Sequence, residues 1–181
     1  MNFRLATIED IPGIIKVSVD TWRITYQDIF PADFLYNLSY EEGEAKWRQR
    51  FTNPDKNIFF YIAETDSKEI VGFALGNLEQ NDLTHNIPGI EKYIGELMAI
   101  YVLKEYQRRG IGLKLVKLIV KRLLELNINT MIVWVLKDNP NWKFYEVLGG
   151  KYLGQGILLK EGTNYIKLAY GWKDIRQIIS Y

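Results

Sequence analysis

The chain has 181 residues, 48% hydrophobic and 25% charged, with a formal net charge of +1. Such values suit one soluble globular domain over residues 1–181 and lack the basic footprint of a nucleic-acid binder. The absence of cysteine excludes disulfides, thiolate metal sites and a cysteine nucleophile.

The elements follow in chain order. "NFRLA" alternates as a short strand. "TIEDIPGIIKVSVDTW" opens with a capping pair, Thr7 and Asp10, and continues with Ile11, Ile14, Ile15 and Val19 at helical spacing. A short helix is predicted around 32–37. A longer one, around 40–51, opens on a second capping pair, Ser39 and Glu42. "IFFYIAE" is a strand, "TDSKE" a hairpin loop and "IVGFALGNL" a second strand. "EQNDLTHNIPGIEKY" is a polar loop, and "IGELMAIYVL" a buried strand. "IGLKLVKLIVKRLLEL" is the strongest helix, with Ile111, Leu115, Leu118, Ile119 and Leu126 along one face. "NTMIVWVL" is a strand, and "DNPNWKFYEVLGG" a capped short helix ending in glycines. "KYLGQGILL" and "TNYIKLAYGW" close the chain as two strands. Hairpins and βαβ crossovers in this order predict one α/β domain with a mixed sheet. No apolar run reaches the ~18 residues of a membrane span, and the start has no long apolar signal segment, so a cytoplasmic protein with no membrane partner is expected.

Residues 107–112, "QRRGIG", sit between a strand and the strongest helix. Glycines allow the backbone to turn and approach a ligand. The N–H groups at the following helix start, with Arg108 and Arg109, suit a pyrophosphate. The plain alternative is a turn with a solvated basic flank. The run matches neither a P-loop nor the dinucleotide fingerprint.

"VLKEYQRRGIG", with its strand before and helix after, resembles the acetyl-CoA-binding motif of the GCN5-related N-acetyltransferases, Q/R-x-x-G-x-G/A. "NPNWKFYEVLGGKYLG" resembles the family's second hallmark, with Asn139 and Tyr145 in place. Gly149 and Gly150 stand where Gly-Phe is usual. The stretch "DTWRITYQDIFPADFLYNLSYEEGEAKW" is similar to the acceptor-side helices of small bacterial members. The resemblance spans roughly residues 3–171 and implies a mixed, mostly antiparallel sheet with a splayed central parallel strand pair, flanked by helices.

It also implies transfer of acetyl from acetyl-CoA directly to a primary amine, without metal. The backbones around Gln107, Arg108, Arg109, Gly110, Ile111 and Gly112 are then expected to hold the pyrophosphate. Those of Ile100, Tyr101 and Val102 would pair with the pantetheine as an added strand would. Asn139 is the expected side-chain contact to the pantetheine arm; its alternative is a cap or turn residue before Pro140. Tyr145 is the candidate general acid for the leaving thiolate, or else a core tyrosine. Glu96 is the candidate base, at the spacing from Gln107 that the histone-acetylating branch carries, with apolar neighbours on its strand face. Its alternative is an exposed strand-end carboxylate. His85, the one histidine, reads as a solvated loop residue. No His/Asp/Glu cluster suggests a metal.

Lys114, Lys117 and Lys121 fall on one face of the strongest helix. Residues 1–46 carry more acids than bases, which suits a cationic amine acceptor such as a polyamine. The alternatives are a protein N-acetyltransferase acting on a lysine or an N-terminus, and a CoA-binding module without turnover. A homodimer is expected from small members of the family.

Overall fold

A computed structural model describes residues 1–53, 55–79 and 87–181. The elements are β1 (Asn2–Leu5), α1 (Ile11–Thr25), α2 (Ala32–Tyr36), α3 (Tyr40–Thr52), β2 (Ile58–Glu64), β3 (Ile70–Asn77), β4 (Gly95–Val102), α4 (Ile111–Glu125), β5 (Met131–Leu136), α5 (Lys143–Val147), β6 (Lys151–Lys160), β7 (Thr163–Trp172) and α6 (Arg176–Ile179). The strands form a seven-stranded mixed sheet in the order β1-β2-β3-β4-β5-β7-β6. β1 with β2, β5 with β7 and β6 with β7 pair antiparallel, while β4 and β5 pair parallel. This is the mixed α/β fold expected from the sequence.

The parallel ladder is short. It joins Gly95, Glu96 and Leu97 to Met131, Ile132 and Val133, and both strands run on beyond it, to Val102 and Leu136. Burial follows the ladder: Gly95, Glu96 and Leu97 are buried, and every residue from Met98 to Val102 is half-buried.

The chain divides into two compact units, Met1–Leu75 with Ala99–Ile119 and Gly76–Met98 with Val120–Tyr181. In the first, α1 begins as its sequence dictates. The Asp10 carboxylate accepts the Thr7 N–H at 2.7 Å and its hydroxyl at 3.1 Å, and Pro12 occupies the first turn, where its missing N–H costs nothing. Ile11, Ile15 and Val19 of α1 pack against Leu38, Tyr40, Trp47 and Phe51. An aromatic group surrounds Trp22: it stacks on Phe30 at 5.5 Å and meets Tyr26 edge-on at 4.9 Å. Trp22 Nε1 donates to the Tyr101 hydroxyl at 3.0 Å.

The first unit also holds a buried charge cluster. Arg4 donates to both Asp10 oxygens, at 2.6 and 2.8 Å, and to Glu64 Oε2 at 2.8 Å. Asn2 and Lys68 donate to Glu64 Oε1 at 2.8 and 3.1 Å. The Glu64 side chain is only 1% exposed, so these donors replace its lost water.

The second unit packs Ile87, Ile90, Tyr93, Ile132 and Ala169 into one cluster, joined by Trp134 and Leu153. Trp172 is fully buried and donates its indole N–H to the Leu148 carbonyl at 2.8 Å. The β6–β7 hairpin pairs residue for residue from Gly154 to Lys160, with an irregularity between Tyr152 and Gly154.

Three features differ from expectation. Ile111, Leu115 and Ile119 of the expected α4 face are buried, but Leu118 is half-buried and Leu126 lies past the end of α4, 38% exposed; Val116, Val120 and Leu123 complete the buried face. The 3-10 turn Lys104–Tyr106 and the helix α6 were not foreseen, being too short to show a hydrophobic period. His85 lies outside the described residues.

The Arg4 hydrogen bond, followed by those from Asn2 and Lys68, holds the Glu64 carboxyl down at about 2 against an ordinary 4.5. A depressed carboxyl stabilises the fold above its ordinary pKa, and that stability drains away as pH falls from there toward the folded value. Melting temperature should therefore decline between about pH 5 and about pH 2. Arg4→Met should cost more near pH 7, where it strands two carboxylates, than near pH 3, where protonation has begun to relieve them. Circular-dichroism melts at both pH values check the difference; an equal loss would show that the cluster is not coupled to proton uptake.

Candidate active site

The glycine run forms a sharp turn into α4. After the 3-10 turn Lys104–Tyr106, Arg108 adopts φ +60° and Gly110 φ +78°. A left-handed residue other than glycine is strained, and such strain concentrates at functional loops. A Cβ on Gly110 would meet no atom within 4 Å, so conformation rather than space calls for glycine there. The first helical bond of α4 runs from the Lys114 N–H to the Gly110 carbonyl at 3.0 Å. The N–H groups before it have no partner within the helix and suit an anion, aided by the helix dipole. Gln107 Nε2 donates to the Val102 carbonyl at 2.9 Å, tying the loop to the end of β4. Arg108 and Arg109 are exposed, and the Arg109 guanidinium lies 5.4 Å from the Tyr106 ring centroid. Lys114 spends part of its charge on the Phe3 ring, at 5.3 Å.

On β4, the Tyr101 side chain belongs to the aromatic group around Trp22. Removal from water pushes its phenol pKa up, against hydrogen bonds from Tyr26 and Trp22 that lower it.

Glu96, Asn139 and Tyr145 all lie in the second unit. Glu96 is buried at 8% exposure, opposite Ile132 in the parallel ladder, and is not the exposed strand-end carboxylate of the alternative reading. Asn139 is buried and its Oδ1 accepts the Asn141 N–H at 2.8 Å, the turn-forming role that a residue before Pro140 can take. Asn139 is not the cap of the following helix: Trp142 is, and α5 spans only Lys143–Val147. Tyr145 is 9% exposed and stacks on Tyr170 with centroids 6.4 Å apart.

Gly150 explains the departure from Gly-Phe. A Cβ there would lie 2.8 Å from both the Trp172 ring and the Tyr145 carbonyl, so Trp172 fills the space that a larger residue would need.

The first unit contains a cavity of about 310 Å³, lined by Asp20, Thr21, Arg23, Ile24 and Thr25 of α1 and by Leu103, Lys104, Glu105 and Gln107. Burial pushes the Asp20 carboxyl up, but hydrogen bonds from Lys16 at 2.8 Å and Tyr40 at 2.6 Å outweigh it, and the group stays below its ordinary range. Arg23 is engaged by the carbonyls of Leu35, Tyr36 and Leu38. The Thr21 hydroxyl is buried and has no hydrogen-bond partner among the described residues. Sequence reasoning missed this wall. Thr21 lies four residues after Val17 on the buried face of α1 and reads as core.

Half of the acids in residues 1–46 pair with nearby bases. Arg4 meets Asp10, Lys16 meets Asp20, Lys46 meets Glu42 and Arg48 meets Glu44. Among the described residues, no three His, Cys, Asp or Glu side chains gather to hold a metal, and no helix is long and apolar enough to cross a membrane.

A model of the acetyltransferase (GNAT) family matches residues 20–149. The chain belongs to this family. It is 35% identical over 176 residues to the uncharacterized N-acetyltransferase YuaI of Bacillus subtilis (strain 168), covering 97% of this chain and 94% of that protein. An N-alpha-acetyltransferase of Saccharolobus solfataricus is 26% identical over 163 residues, covering 83% of this chain and 85% of that one. The PaiA N-acetyltransferase from Thermoplasma acidophilum, solved in complex with coenzyme A, shares the fold with a TM-score of 0.63 at 22% identity, over 95% of this chain and 100% of that chain. This GNAT chain is accordingly an acetyl-CoA-dependent N-acetyltransferase, and the loop before α4 fits the anionic cofactor: a helix start, two left-handed residues and two exposed arginines.

A buried hydroxyl without a partner costs about 1–3 kcal/mol relative to an apolar group of the same shape. Thr21→Val should therefore raise the unfolding free energy of this GNAT protein by about 1 kcal/mol. Urea denaturation measures it; a clear loss of stability would mean that the hydroxyl is satisfied in solution.

Proposed function

We propose that residues 1–181 form one acetyltransferase domain that acetylates the primary amine of a small cationic molecule, such as a polyamine. The observation that supports this acceptor is the cavity of about 310 Å³ in the first unit, whose wall carries the Asp20 and Glu105 carboxylates. Its volume is at the lower end of the range for small-molecule sites and suits a compact ligand. The same wall carries the cations Arg23, which backbone carbonyls hold, and Lys104, so Asp20 and Glu105 are the groups that would meet a protonated amine.

Acetyl-CoA supplies the activated acetyl group. In this proposal the N–H groups at residues 109–112 and the Arg108 and Arg109 side chains hold its pyrophosphate. The backbones of Ile100, Tyr101 and Val102, with Asn139, orient its pantetheine arm. The acceptor nitrogen attacks the thioester carbonyl, forming a C–N bond as the C–S bond breaks. Glu96 accepts the proton released by the amine; its burial beside apolar strand neighbours suits a base that must be neutralised by that proton. Tyr145 gives its proton, or a strong hydrogen bond, to the departing thiolate. A phenol of ordinary pKa about 10 is a weaker acid than a thiol of about 8.5, so the hydrogen bond carries more of this assistance than full transfer does.

Protein acetylation at an N-terminus is the second reading, favoured by the similarity to an N-alpha-acetyltransferase. Release of free thiol from acetyl-CoA separates the two. A panel of polyamines, aminoglycosides, lysine peptides and N-terminal peptides should give the highest kcat/KM with a polyamine. In that case Asp20→Asn should raise KM for the polyamine about tenfold, about 1.4 kcal/mol of binding, with kcat little changed. A peptide preferred over every small amine would overturn the small-molecule acceptor.

Tyr145→Phe keeps the ring that stacks on Tyr170 and removes only the hydroxyl. Because a thiolate is a tolerable leaving group, kcat should fall roughly 10–100-fold, the mild end for loss of a general acid, while acetyl-CoA affinity is retained. Single-turnover kinetics with calorimetry of cofactor binding check this pattern. Unchanged chemistry would return Tyr145 to a packing role.

A homodimer, as the resemblance implies, belongs to the same proposal.

A further inference from the structure

Helix α5 holds only Lys143–Val147, about a turn and a half. So short a helix does not hold itself together in water, and its place must come from what it packs against. That place matters for Tyr145. A phenol oxygen lies on the long axis of its ring, so its position follows from χ1 and from where the helix sits.

Three residues of this segment converge on one side chain of β7. Tyr145 stacks on the Tyr170 ring with centroids 6.4 Å apart and planes 29° apart. Trp142, the cap residue one turn earlier, stacks on the same ring at 6.3 Å and 16°. Glu146 accepts a hydrogen bond from the Tyr170 hydroxyl at 3.2 Å. From β6, Tyr152 meets that ring edge-on at 6.0 Å. Stacked and edge-on rings at such separations attract one another. Tyr170 is 3% exposed. Burial, and after it the Glu146 carboxylate, push its phenol pKa up, so the hydroxyl remains a donor at neutral pH.

Tyr170 also stands at a particular rung of the sheet. It pairs with Val133 of β5, and Val133 pairs with Leu97 in the last rung of the parallel ladder. Paired residues share a face, so the ring that carries Tyr145 rises from the row at which the β4–β5 ladder ends. Glu96 and Ile132 form the rung before it. Successive strand residues alternate between faces, so Glu96 belongs to the opposite face, away from Tyr170.

We propose that Tyr170, anchored through its hydroxyl to Glu146, is the positioning residue for Tyr145: its ring and this one hydrogen bond fix where α5 sits and where the Tyr145 hydroxyl points. This rests on the general-acid reading of Tyr145 and adds to it two residues that act through Tyr145. Misplacing a reacting group by about 1 Å can cost up to about 10²-fold. Removing the anchor while keeping the ring is a smaller change and should cost about three- to tenfold.

Two mild variants test this in the full chain. Tyr170→Phe keeps the ring and loses the hydroxyl; Glu146→Ala removes the acceptor at an exposed position. Melting curves confirm that both fold. Single-turnover rates are measured with acetyl-CoA and spermidine, or with an N-terminal peptide if the amine panel prefers one. Each variant should be about three- to tenfold slower, with acetyl-CoA affinity by calorimetry and KM for the acceptor within about twofold of wild type. The double variant should be no slower than either single one, because both remove the same bond. Glu146→Gln, which keeps an acceptor oxygen, should restore the rate. In a Tyr145→Phe background neither variant should slow the reaction further. The acidic limb of the pH profile, which Glu96 sets in the proposed mechanism, should not move, because Glu96 lies on the other face.

Wild-type rates in both variants, with Tyr145→Phe slowed, overturn the positioning role and leave the general acid standing. A further loss in the Tyr145→Phe background, or a shifted acidic limb, also overturns it, since the variants would then act through general distortion. A wild-type rate in Tyr145→Phe itself overturns the general acid and the positioning role together.

Discussion

Parallel neighbours cannot be joined by a tight turn; they need a crossover, and here the crossover is the loop 103–110 with helix α4. The β4–β5 pair therefore brings a helix N-terminus to the chain directly after β4. The ladder lasts only from Gly95 to Leu97 on β4, and the strand then continues half-buried to Val102. The half-buried end of β4 thus leads, through a single 3-10 turn, directly into the turn that starts α4. Gln107 fixes the junction from within, because its amide holds the Val102 carbonyl. The strain at Arg108 and the glycine at Gly110 serve the same turn.

Packing decides which groups on this framework are available to chemistry. Tyr101 looks like a binding side chain on β4, yet its hydroxyl is taken by Trp22. Arg23 borders the cavity, yet three carbonyls hold it. The acids of the first helices look like an attractive wall for a cation, yet lysines and arginines a turn away answer three of them. Asp20 keeps a place on the cavity wall while bonded to Lys16 and Tyr40, so it is a fixed, ionised group rather than a free one. A bare count of charges does not show this cancellation, but the four-residue spacing of the pairs along their helices does.

The second unit shows the same logic in its glycines and aromatics. The pair Gly149 and Gly150 replaces the usual Gly-Phe because Trp172, remote in sequence on β7, presses against Gly150. Asn139 spends its side-chain oxygen on a turn, and the helix carrying Tyr145 is only Lys143–Val147. Tyr145 and Asn139 therefore reach their places through turn geometry and stacking on Tyr170, rather than through one regular helix.

The sequence by itself determined the long elements. α1 and α4 carry a period of 3.6 strong enough to show which face must leave water, and β3 and β5 are apolar runs dense enough to read as buried strands. It also determined the loop before α4, because glycine spacing and a helix start are local properties of the backbone. Tertiary structure decided the rest. Burial of Glu96, the Arg4–Glu64 ion pair, the lone Thr21 hydroxyl and the filling of the Gly150 space by Trp172 all depend on residues far apart in the chain. Short pieces such as the turn Lys104–Tyr106 and α6 escaped the sequence for a related reason. A single turn is too short to express a period, and its conformation is settled by what it packs against.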